Sequence, residues 1–153
     1  MLKKLLLGSF LIMAFGCVSL TNAQSKERAP KLPNNLAGFE NKYPMDLFKN
    51  AAMKKRLRVL LGKSYDGFME AIDVQEPMER NGDLLIGKGC AKGLCRIYEA
   101  IIVVDLSTKT IHCGIVGTAL KPKYYKYTES SQNFPAVITD WANDLLQNDN
   151  GKN

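Results

Sequence analysis

The spacing of apolar residues changes at Asn81-Gly82, and that change limits the fold more than any other feature of the chain. Before it, Leu47, Phe48, Ala51, Ala52, Leu57, Leu60 and Leu61 recur at helical spacing from Asp46 onward, with Lys54, Lys55, Arg56 and Arg58 between them and Gly62 as a stop. This predicts one amphipathic helix, its basic cluster a solvated face whose last turn complements the helix dipole. Ser64 is placed to cap a second, shorter helix with Tyr65, Phe68, Met69 and Ile72 on one face, ending before Pro77. After Asn81-Gly82, itself a turn signal, residues 84–89, 96–106 and 110–118 are rich in Ile, Val, Leu and Tyr and read as three strands. Ile101-Ile102-Val103-Val104 is continuous, as in a central strand covered on both faces. Ser107-Thr108-Lys109 closes a hairpin, and residues 123–127 suit a fourth, edge strand whose lysines oppose pairing with another chain. Pro135 fits the first turn of a last helix carrying Val137, Ile138, Trp141, Leu145 and Leu146 on one side. Helices, then strands, then a helix predict an α+β fold: an antiparallel sheet of about four to five strands flanked by amphipathic helices.

The amino terminus is an address. Residues 1–4 are a short basic region, residues 5–20 an apolar run broken by Gly8 and Gly16, and Thr21-Asn22-Ala23 a small-residue cleavage site before Gln24. Residues 1–23 therefore read as a secretory signal peptide, so the mature protein is expected to be soluble outside the cytoplasm. The apolar run falls short of the ~20 residues that cross a bilayer. A rival reading makes Cys17, after Ala14-Phe15-Gly16, the lipidated first residue of a membrane-anchored lipoprotein, although Ala14 stands where such sites usually carry leucine. Residues 24–43, with Pro30, Pro33 and Asn34-Asn35, are expected to be a flexible leader, residues 44–148 the domain and residues 149–153 a flexible tail. A chain of 153 residues with 46% hydrophobic and 24% charged residues suits one globular domain and disfavours disorder or a multi-domain enzyme.

The residues that carry chemistry are few. Removing Lys3 and Lys4 lowers the net charge from +6 to +4, too mild for a nucleic-acid footprint. Cys90, Cys95 and Cys113 remain after cleavage; in an oxidising compartment the close pair Cys90 and Cys95 is the natural disulfide. Cys113 lies in an apolar run and reads as a buried strand thiol, the alternative being the nucleophile of a thiol enzyme. His112 is the single histidine, in a strand, with no nucleophile indicated beside it. Four residues separate Cys90 from Cys95, and no second pair follows at zinc-ligand spacing, so neither a redox motif nor a metal site is expected. Gly87-Lys88-Gly89 before Cys90 lacks the Ser/Thr and the following helix of a phosphate loop. No catalytic residues and no cofactor are expected.

What remains is the ring Cys90, Ala91, Lys92, Gly93, Leu94 and Cys95 between two strands. A stapled loop loses little entropy on binding and suits the filling of an enzyme cleft; equally, it is a stapled hairpin without a partner. The leading helix, the strand ending Ile86-Gly87-Lys88-Gly89, the Cys-x4-Cys loop, the hydrophobic strand 97–106 and the returning strand together resemble the bacterial inhibitor of vertebrate lysozyme family over residues 44–117, with the Trp141 helix a looser echo. The resemblance implies an inhibitor whose loop enters the lysozyme cleft. In that family the loop usually reads Cys-Lys-Pro-His-Asp-Cys and its histidine engages the catalytic carboxylates. Here Gly93 stands at the histidine's position, leaving Lys92 to supply a cation. Homodimers occur in the family. A net charge of +4 opposes long-range steering toward strongly basic lysozymes. A less basic target, such as another peptidoglycan hydrolase, fits better. The alternative function is a periplasmic immunity protein that neutralises a cell-wall-degrading toxin.

Overall fold

The computed structural model describes residues 30–118, 123–130 and 133–149. The signal peptide, Cys17 and residues 150–153 of the expected tail lie outside them. Among the described residues no helix is long and apolar enough to cross a membrane.

The expected first helix is two. Helix α1 (Pro44–Phe48) and helix α2 (Ala51–Leu61) are separated at Asn50, whose backbone is extended and whose side-chain oxygen accepts from the N–H groups of Ala52 and Met53 at 3.0 and 3.1 Å. The apolar spacing runs across this break because both helices face the same core, so periodicity alone hides it; the cap residue is the local signal. Gly62, at φ 53°, ends α2. Helix α3 (Tyr65–Ala71) follows a 3-10 turn. Ser64 makes no capping bond there; its hydroxyl accepts from Tyr127 Oη at 2.6 Å instead.

Among the described residues six strands form one antiparallel sheet: β1 (Val74–Gln75), β2 (Glu79–Asn81), β3 (Leu84–Cys90), β4 (Tyr98–Asp105), β5 (Thr110–Gly117) and β6 (Lys123–Thr128). The order is β1-β3-β4-β5-β6, with β2 also paired to β3. The sheet is α+β in arrangement, as expected, and β4 is its middle strand. The short β1 and β2 were not expected, since Pro77 and a charged segment mask them in the sequence. The hairpin between β4 and β5 closes on Asp105, whose Oδ1 accepts from Ser107 N, Ser107 Oγ and Thr108 N. Burial pushes the Asp105 carboxyl up, but these bonds outweigh it and hold the group below the usual carboxylate range.

Strand alternation divides the core. Leu85, Ala100, Ile102, Val104, Ile111, Cys113 and Ile115 face the helical layer of α1 to α3. Ile101 and Val103 face the other way, against Ile138 of helix α4 (Ala136–Asp149), and Val116 meets Ala142 and Leu145. Ile101 to Val104 are therefore covered on both sides, as the unbroken apolar run predicts. Gly114 lets α4 come close: a Cβ there would lie 2.9–3.0 Å from Ile138, Ile101 and Trp141.

Two further expectations are corrected. Residues 30–43, read as part of a flexible leader, pack on the domain: Leu32 and Leu36 belong to the main core, and Asn41 N and Met78 N exchange bonds with Met78 O and Lys42 O at 2.9 and 2.7 Å. Two leucines among prolines and asparagines are too few to register as a period. Arg56, read as part of a solvated face, is buried; Nε and Nη2 meet both carboxylate oxygens of Glu129, and Nη2 also donates to Lys109 O at 3.0 Å. Glu129 further accepts from Ile111 N at 2.8 Å. Helix α2 is thus tied to the end of β6 by a pair the helix pattern alone does not reveal.

Candidate functional site

Strands β3 and β4 are neighbours in register, Cys90 opposite Glu99, so residues 91–97 connect them at one end of the sheet. The disulfide Cys90–Cys95 closes the ring with its Cα atoms 4.9 Å apart. Backbone bonds hold the same segment independently. Ala91 N donates to Tyr98 O at 2.9 Å across the neck; Leu94 N donates to Ala91 O at 2.9 Å; Ile97 N and Tyr98 N both donate to Leu94 O, at 2.9 and 2.8 Å. These are two consecutive turns, each with its third residue at positive φ, Gly93 at 74° and Arg96 at 69°. Glycine takes such a conformation without steric cost, and a Cβ at Gly93 would meet nothing within 4 Å.

Of the six residues singled out in the sequence, Cys90 and Ala91 are buried where the chain leaves β3, and Lys92, Gly93, Leu94 and Cys95 form the exposed part of the loop. Beyond them the structure adds Arg96 and Ile97, also exposed, so two cations and two large apolar side chains, Leu94 at 41% and Ile97 at 40% exposure, share the end of the sheet. Sequence reasoning placed Arg96 and Ile97 in a strand because their alternation with Tyr98 and Glu99 continues the pattern of β4. Tyr98 Oη donates to Gly67 O at 2.9 Å, anchoring the exit of the loop on α3. On the opposite flank, Cys90, Cys95 and Arg96 border a groove of about 440 Å³ whose banks include Val74, Glu76 and Trp141.

The other candidates lie elsewhere. His112 pairs with Val103, away from the ring, and its Nδ1 and Nε2 lie 2.8 and 3.2 Å from the hydroxyls of Thr128 and Thr110. Its ring meets Phe134 edge-on, and burial lowers its pKa from the usual imidazole value, so it is held neutral. Cys113 is completely buried beneath the helical layer, and burial pushes its thiol well above the usual range, the opposite of what a nucleophile needs. Among the described residues no three His, Cys, Asp or Glu side chains are grouped to hold a metal ion.

No curated protein and no solved structure matches the chain significantly. The profile of the family described as inhibitor of vertebrate lysozyme (Ivy) matches residues 52–149, a span that takes in α3, all six strands and the disulfide loop. With the greater part of its length covered by that profile and the loop formed where the resemblance puts it, the chain belongs to the inhibitor of vertebrate lysozyme family.

Proposed function

We propose that this protein acts in the periplasm as an inhibitor of lysozyme or a related peptidoglycan hydrolase, blocking the cleft with the loop from Cys90 to Cys95. The observation that carries this reading is the preformed shape of the loop: a disulfide, a neck bond and two turns fix an exposed segment at one end of the sheet. Because the segment is ordered before it meets a target, little conformational entropy remains to be lost on binding. Lys92, the neighbour of Gly93 at the family histidine's position, presents a cation to the paired carboxylates by which glycan-cleaving enzymes work. The protein carries no catalytic role of its own in this reading. It excludes substrate and places charge beside the acids that would attack it.

The test is a titration of the secreted, oxidised protein into vertebrate c-type lysozyme, with heat of binding and cell-wall lysis followed together. Nanomolar binding with loss of lysis is the expected outcome. Lys92→Ala should then weaken inhibition by roughly tenfold, the worth of one charge-assisted contact. Absence of binding at micromolar concentration overturns lysozyme as the target.

A further inference from the structure

Among the described residues three that are not glycine, Asn41, Arg96 and Lys109, have positive φ, and Arg96 is the one beside the ring. Arg96, one residue beyond Cys95, sits at φ 69°, a conformation that costs an ordinary side chain free energy and that glycine or asparagine would take more readily. Its peptide groups are clamped on both sides. The Arg96 N–H donates to Glu99 Oε1 at 2.6 Å, and the Arg96 carbonyl accepts from Thr118 Oγ1 at 3.1 Å. Thr118 N also donates to Ile97 O at 2.8 Å, so the end of β5 holds the segment from below. The backbone is thus over-determined while the side chain is left exposed, and among the described residues no ion-pair partner meets the Arg96 guanidinium. A strained backbone held by its surroundings, carrying an exposed charged side chain at the rim of the groove beside the ring, points to a contact with another molecule.

We propose that Arg96 is a second target-contact residue of the inhibitor, presenting its guanidinium to a carboxylate in the cleft of the glycan hydrolase, with Glu99 and Thr118 as positioning residues. The inference rests on the loop-blocking function proposed above and deepens it. A planar guanidinium matches a carboxylate through two parallel N–H bonds, which a lysine ammonium cannot do. Leu94 and Ile97, exposed on either side of the strained turn, supply apolar surface that excludes water around that pair. The turn aims the charge; the ring fills the space next to it. Glu99 serves through its bond to the backbone N–H of Arg96, not by neutralising the side chain.

The experiment compares inhibition constants and melting temperatures of the oxidised wild-type protein, Arg96→Gly, Arg96→Lys and Thr118→Val against c-type lysozyme, with Lys92→Ala beside them. Arg96→Gly relieves the positive φ, so the expected result is an unchanged or raised melting temperature together with inhibition weakened roughly 10- to 100-fold. Arg96→Lys should recover only part of that loss, and Thr118→Val should weaken inhibition while the guanidinium is still present. Wild-type inhibition by Arg96→Gly, with Lys92→Ala impaired, overturns the role of Arg96 and leaves the loop reading standing. Failure of the wild-type protein to bind any lysozyme or peptidoglycan hydrolase overturns both.

Discussion

His112 shows what burial does to a single residue. Its two ring nitrogens are taken up by Thr110 and Thr128 hydroxyls, Phe134 covers one edge, and desolvation disfavours the charged form more than Asp105 and Glu129 favour it. The unfolded chain therefore binds a proton more readily than the folded one, and stability rises with pH across the interval between the two values. Stability from this group is complete above the ordinary value of 6.5 and is lost as the pH falls from there through the lower folded value. Because the chain has one histidine, a single substitution isolates the effect. Melting temperatures should fall between about pH 7 and about pH 5 in the wild type and stay nearly flat in His112→Gln. Equal slopes in the two proteins would assign the pH dependence elsewhere. The same burial that depresses His112 raises Cys113, so adjacent strand residues titrate in the directions their charges dictate.

Among the elements, the loop between β3 and β4 has redundant closure. A six-residue disulfide ring contributes about 2 kcal/mol by restricting the unfolded chain, while the neck bond and the two turns join the same segment through the backbone. The Cys90→Ser/Cys95→Ser protein should therefore keep a cooperative unfolding transition, with stability reduced by about that amount, and should bind its target roughly tenfold more weakly because the exposed residues 92–95 regain freedom. Unchanged affinity would count against the proposed blocking role of the loop. Helix α2 illustrates the reverse case, an element whose pattern misleads. Lys54, Lys55, Arg56 and Arg58 look alike in sequence, yet Arg56 alone is buried. Its carboxylate partner arrives from residue 129, at the far end of the sheet, and a helical wheel carries no information about that distant chain segment.

On the scale of the whole molecule, the sheet is covered on both faces by parts of the chain that are remote in sequence. The segment 30–43 closes the helical side, where Leu32 and Leu36 join Leu47, Leu57 and Phe68 in one core. Leu36→Ala should cost roughly 2–5 kcal/mol, as buried leucine truncations do. Urea unfolding measures this directly. A change below about 0.5 kcal/mol would return the segment to the status of a leader. Charge also acts at this scale: the positive excess of the sequence repels a strongly basic enzyme at long range, so in the proposed reading a modest rise in salt should leave binding to such a target unchanged or strengthen it, as measured by titration at two ionic strengths.

The sequence by itself determined the α+β class, the middle strand, the hairpin after Asp105, the edge strand and the disulfide ring. Each is written in neighbouring residues: an unbroken Ile101 to Val104 run, a turn triplet, alternating tyrosines and lysines, two cysteines at close spacing. These signals are legible because the backbone conformation they specify is local. The break at Asn50 has a local signal in its cap residue that the apolar period conceals, whereas tertiary structure alone decided the docking of Leu32 and Leu36, the Arg56 to Glu129 pair and the clamping of Arg96 between Glu99 and Thr118. In the last three, the partner that fixes the residue comes wholly or partly from another element of the fold. At Arg96 the difference is largest, for a positive φ is held by bonds from β4 and from the residue following β5, and no propensity of arginine announces it.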